Sequence, residues 1–280
     1  MQDLKLRLKK IKHLTEENLQ IVDKENLVQD MLGHIGDTDP ELRDTLIYST
    51  FVRLITKKHL SESLMMDLLQ TSINEDHLFH RIEESEGDAV FVRSFSALLA
   101  ALLLKVDAER RFLPDPLIEE ACNRSVDYIL REKDYRGFVE GKGWAHAVAH
   151  GADLLASAVE HPVIDSDRLF PIYLEGIKTC IGREDGVYTD NEDERLTVVI
   201  DRMLRKGLTP SQLNMWLDSI CSQIQIKEEE GWSHSFFLFR TNTTNFLKTL
   251  YFLLKSKKDT QHCCNTIESH LIKDYQTLYT

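Results

Sequence analysis

The stretch GKGWAHAVAHGADLL, residues 141–155, places His146, His150 and Asp153 four and then three residues apart. At 100° per residue these side chains, with Ser157, fall within about 60° of one another on one helix face. Two imidazoles at i and i+4 can chelate a divalent ion through neutral nitrogens, and a carboxylate one turn on can add an oxygen. A hydrolytic metal centre needs about three protein ligands and an open position for an activated water. Three residues of one helix rarely all reach one ion, so Glu140 or His234 would have to complete the set. The same spacing also describes an ordinary polar face with a His–Asp hydrogen bond. A divalent metal is the one cofactor these residues would suit, and the sequence does not require it.

Neither a HEXXH glutamate nor the His-Asp pair of metal-dependent phosphohydrolases is present, since Gly151 follows the second histidine. No Ser or Cys carries a local nucleophile signature such as GxSxG. The remaining chemistry lies in Arg93 and Arg240, which interrupt helical segments that are apolar nearly all round, with Asn245 following Arg240. A guanidinium in such a setting must find a partner, because an unpaired buried charge is very costly. Two readings stay open. Arg93, Arg240, Asn245, Trp144 and the His146–His150–Asp153 stripe can converge on an inner surface and hold a carboxylate or phosphate. Alternatively, Arg93 reaches Asp153 in an internal network that fixes the register of neighbouring helices.

The elements that position these residues read as helices throughout. Asp39-Pro40, Ser61, Asp88, Pro114, Ser166, Asn191 and Thr209-Pro210 punctuate segments of helical periodicity, and no segment sustains the period-two alternation of a strand. Taken in pairs, residues 39–280 form five helical hairpins whose first helices begin near 40, 88, 143, 191 and 232. Those intervals approach the roughly 40–47 residues of HEAT and armadillo repeats, units that bury their apolar faces only by stacking. GWAHA at 143–147 recurs as GWSHS at 231–235, in a chain with three tryptophans, which supports internal duplication. The second copy lacks the second histidine and the acid. The expected fold is therefore all-α, a curved α-solenoid forming one domain over 1–280, with residues 1–38 as capping helices.

Composition narrows the partners. The 280 residues are 42% hydrophobic, enough for a core without staples, and Gly and Pro are sparse. A net charge of −12 argues against binding a phosphate backbone, which needs clustered Lys and Arg. The opening MQDLKLRLKKIKHLTEE is too charged for a signal-peptide core, and FSALLAALLLKV is too short to span a membrane. Five cysteines without a CxxC pair suit reduced thiols. The expectation is a cytoplasmic protein with no nucleic-acid or membrane partner.

FVRSFSALLAALLL, GWAHAVAHGADLL and NTTNFLKTLYFLL together resemble a bacterial family known as a domain of unknown function, whose members carry a similar Trp-His-x-x-x-His-Gly-Ala-Asp stretch. The resemblance covers most of residues 30–255. It implies a HEAT-like helical fold and a role for Arg93, Trp144, His146, His150 and Asp153, and it implies no activity. The leading expectation is a helical-repeat protein that binds a protein partner or a small anionic ligand in a concave polar pocket. The alternative is a metal-dependent hydrolase using the same His146, His150 and Asp153.

Overall fold

The computed structural model describes residues 2–279. Over that span the chain is nearly all helical, and its contacts gather into two units, Met1–Ile164 and Asp165–Thr280. The first unit contains α1 (Gln2–Lys12), α2 (Glu16–Gln20), α3 (Lys24–Leu32), a π-helix (Glu41–Tyr48), α4 (Ser49–Thr56), α5 (Glu62–Ser72), α6 (Ala89–Arg110) and α7 (Asp115–Arg131). It closes with the strands β1 (Phe138–Val139) and β2 (Gly143–Trp144) and with α8 (Ala147–Glu160). The second unit holds α9 (Ser166–Ile181), α10 (Glu192–Arg205), α11 (Pro210–Glu230), α12 (His234–Lys255) and α13 (Gln261–Tyr279).

Local chemistry explains where these helices start. The Ser61 hydroxyl accepts from the Leu64 N–H at 3.2 Å, and Asp39 accepts from the Glu41 N–H at 3.0 Å. Thr209 and Gln212 cap each other reciprocally at the head of α11. One cap differs from expectation. Asp165 caps α9 by accepting from the Arg168 N–H, and Ser166 is the first helical residue.

Helix α6 is the spine of the first unit. It packs chiefly on α8 and also touches α4, α5 and α7. Phe91, Leu99, Leu103 and Leu104 are wholly buried along it, so truncating one such leucine to alanine costs about 2–5 kcal/mol. It is the one helix among the described residues long and apolar enough to cross a membrane, and 83% of its most apolar window is buried by its neighbours. Its far end is clamped to the end of α8. There the buried Asp107 meets His161 at 2.9 Å and accepts from the Phe112 and Leu113 N–H groups. Gly151, in the middle of α8, lies where a Cβ would come within 2.9 Å of the Tyr128 ring and 2.7 Å of Ile129. The glycine of the HGAD motif therefore lets α7 approach α8 closely.

In the second unit α10 packs on α12 and α11 on α13, while α9 touches both α10 and α12. The Trp216 indole donates to the Leu174 carbonyl at 2.9 Å and joins α11 to α9. All five cysteines are free thiols, four of them buried.

The all-helical expectation misses one element. Phe138–Val139 and Gly143–Trp144 form an antiparallel ribbon, Phe138 opposite Trp144 and Val139 opposite Gly143. Helix α8 consequently begins at Ala147, four residues after the predicted start. The physical reason is the pair of glycines in EGKG, both at positive φ (73° at Gly141, 78° at Gly143), which close a tight hairpin.

Candidate functional site

The ribbon determines where Trp144 stands. Gly143 is pressed against the start of the π-helix, and a Cβ there would meet the Pro40 Cβ at 2.9 Å and the Arg43 Nη2 at 3.3 Å. Pairing continues past the strands, with the Ala145 N–H donating to the Gly137 carbonyl at 2.8 Å and that of His146 to Arg136 at 3.2 Å. Trp144 is thus turned outward, 42% exposed, with Phe138 edge-on at 5.0 Å.

Beneath the ribbon lies Arg43, wholly buried. Its guanidinium donates to the carbonyls of Asp37 (2.8 Å), Lys142 (2.9 Å) and Trp144 (3.3 Å). It also stands over the rings of Phe91 and Phe95 at 4.2 and 4.8 Å. Burial pushes the Arg43 pKa below its ordinary value, and the neighbouring carboxylate of Asp44, 2.8 Å from Nε, works against that shift. Asp44 is affected in turn. Burial lifts its carboxyl above the usual range, although Arg43 and His146 both favour its charged form. A π-helical turn, common at functional sites, places these two residues at the ribbon.

His146 links the ribbon to α8 in a left-handed conformation, φ 48° and ψ 36°. That conformation costs roughly 1–2 kcal/mol for a residue with a Cβ. Its ring lies flat on the Trp144 indole, centroids 4.4 Å apart and planes within 1°. The His150 N–H donates to the His146 carbonyl at 2.8 Å, and the two imidazoles stand 5.8 Å apart. His150 meets Phe95 edge-on at 5.2 Å, and Phe95 meets Tyr48 at 6.3 Å. The result is a succession of six rings, Phe138, Trp144, His146, His150, Phe95 and Tyr48, with the Asp44 carboxylate beside His146. The exposed end of this run, Phe138 and Trp144, offers an aromatic face for stacking, with the half-buried imidazoles of His146 and His150 beside it and Phe95 buried behind them.

Several predicted residues fall elsewhere. Arg93 does not reach Asp153. It is fully buried and makes a two-pronged pair with Glu132, Nε to Oε2 and Nη2 to Oε1, both at 2.7 Å. Its remaining donors serve the carbonyls of His80, Arg81 and Glu84. Burial is the largest single influence and opposes the Arg93 charge, but the Glu132 hydrogen bonds together with the attraction of Glu132, Tyr128 and Asp134 hold the pKa above the ordinary value. Every donor of Arg93 is committed to the fold, which removes it from a ligand site. Arg240 pairs with Asp274 at 2.5 Å and ties α12 to α13. Asn245 is exposed on α12, and the asparagine doing structural work there is Asn242. Asn242 accepts from the Tyr188 N–H at 3.0 Å and donates to the Gly186 carbonyl at 2.8 Å.

Asp153 lies half-buried on α8. Among the described residues no three His, Cys, Asp or Glu side chains are grouped to hold a metal ion, so the stripe His146–His150–Asp153 does not form a chelating set. The stripe assumed one continuous helix, whereas His146 stands outside α8 with its ring against Trp144. The echo GWSHS behaves as the first copy does up to a point. Gly231 has positive φ, Trp232 is 54% exposed and edge-on to Phe237, and His234 opens α12.

Arg43, Asp44 and Tyr48 escaped the sequence reading. The signal was present in PELRDTLIY, where Arg43 follows Leu42 on the side that Leu46 and Ile47 bury, but nothing local tells that its partners lie 99–101 residues away.

Residues 78–252 match the family described as "Protein of unknown function (DUF2785)", and the chain belongs to that family. No curated protein and no solved structure matches the chain.

Proposed function

We propose that this member of a family of unknown function is a binding module. In this reading it is a HEAT-like array of helical hairpins that seats a small ligand with a planar or anionic group on Trp144, His146 and His150. The array is supported by the way first helices stack within each unit, α6 on α8 and α10 on α12. Free thiols throughout fit a reducing, cytoplasmic setting.

One observation carries the site. The outward-facing Trp144 lies flat on His146, in a backbone conformation that costs free energy and is braced from below by Arg43. Core packing does not require an exposed tryptophan stacked on a strained, half-buried histidine, and strain of this kind gathers at ligand sites. Arg93, Arg240 and Asn245 are outside this site. Asp44 and Tyr48 join it, the first as a carboxylate beside His146.

Ligand-observed NMR with benzoate, inorganic phosphate and adenosine monophosphate as probes tests the reading. Binding of at least one probe to the wild type, lost in Trp144→Ala and in His146→Ala/His150→Ala with melting unchanged, is the expected result. Probe signals that those variants leave untouched would sink it.

A further inference from the structure

The face of α12 and α13 away from the rest of the second unit carries a groove of about 550 Å³. Its α12 wall is Lys248, Tyr251 and Phe252, and its α13 wall includes Glu268, Ile272 and Tyr275. On α13 these positions recur at i, i+4 and i+7, one continuous helix face. Four large side chains on the two helices are more than half exposed: Phe252 (71%), Ile272 (53%), Tyr275 (62%) and Tyr279 (66%). Scattered apolar residues are ordinary on a surface, whereas a contiguous set with aromatic anchors marks an interface. Helix α13 packs inward on α11 and α12.

The charges on the groove indicate what covers it. Lys248 stands on one wall and Glu268 on the other, both exposed, and neither makes an ion pair among the described residues. A cation on one wall and an anion on the other, the anion also attracting Lys255 at longer range, make a surface complementary to itself. A two-fold axis running along the helices lays α12 of one copy on α13 of the next. The same operation brings Lys248 against Glu268 twice and buries Phe252 and Tyr275 between the copies. A purely acidic or basic partner would leave one of the two charges facing its like. We propose that this groove is a homodimer interface, occupied by the same groove of a second copy of the chain.

Sedimentation equilibrium of the full chain across a concentration series tests the assignment. The wild type should be a dimer at micromolar concentration. Phe252→Glu and Tyr275→Glu, both at exposed positions, should dissociate it while leaving the circular dichroism and melting of the monomer intact. Lys248→Glu and Glu268→Lys should each raise the dissociation constant at least tenfold, and the double exchange should recover most of that loss. A wild type monomeric at every concentration would overturn the proposal, as would a dimer indifferent to Phe252→Glu or a charge exchange that fails to recover.

Discussion

The Arg43 guanidinium donates to the Trp144 carbonyl at 3.3 Å and to the Lys142 carbonyl at 2.9 Å, so a buried cation in the π-helix holds the backbone of an exposed tryptophan 101 residues later. The contact depends on Gly143, which lets the ribbon settle onto Pro40 and Arg43.

Gly143→Ala therefore carries two penalties, a side chain forced to φ 78° and a clash at 2.9 Å with Pro40, and should destabilise the chain by about 2–4 kcal/mol. Gly141→Ala carries only the conformational penalty, at φ 73° with open space around the Cβ, and should cost about 1–2 kcal/mol. Urea unfolding of both variants reads the difference. Equal losses would mean that the ribbon does not press on the π-helix.

Arg93→Ala and Glu132→Ala should each destabilise by about 3–5 kcal/mol, since each leaves its partner charged and buried without a counter-ion. The double variant Arg93→Ala/Glu132→Ala should lose distinctly less than the two single losses added. Denaturant midpoints for the four proteins close the cycle. Additive losses would show that each side chain acts through its own contacts, Arg93 to the 80–84 carbonyls and Glu132 to the Asp134 N–H, and not as a pair.

The Asp44 carboxyl titrates above its ordinary value in the folded chain because burial disfavours its charge. The folded state therefore holds its proton more tightly than the unfolded state does. Its contribution is present below the ordinary carboxyl range and is lost as pH rises through the raised folded value. Stability measured against Asp44→Asn should accordingly fall with rising pH across that window. A relative gain over the same window would show that attraction to Arg43 and His146 outweighs burial.

Burial, with Asp218 nearby, pushes the Cys221 thiol up to about 11. Although not fully buried, it should stay almost wholly protonated at pH 8 and react with iodoacetamide far more slowly than an unperturbed thiol. Mass spectrometry of the alkylated native chain, compared with urea-unfolded chain, measures this. Rapid native labelling at Cys221 would contradict the assigned environment.

The helices were legible in the sequence because their causes are local. Apolar residues at helical spacing around Leu99 and Leu103, the capping pair Thr209–Gln212 and proline at helix starts act within a turn or two of themselves. The repeated Gly-Trp-x-His was legible for the same reason, and both copies stand at the head of a helix with an outward tryptophan. The ribbon at 138–144 was harder to read, since two-residue strands leave no periodicity and only the paired glycines announce them. What the sequence by itself determined is the set of helices. Tertiary structure decided which side chains meet. Arg93 found Glu132 from the end of α7, Arg43 came to the ribbon from the π-helix, and His146 left the stripe to stack on Trp144. Each choice turned on where a charge or ring could be satisfied across dozens of residues, and no spacing along the chain encodes that distance.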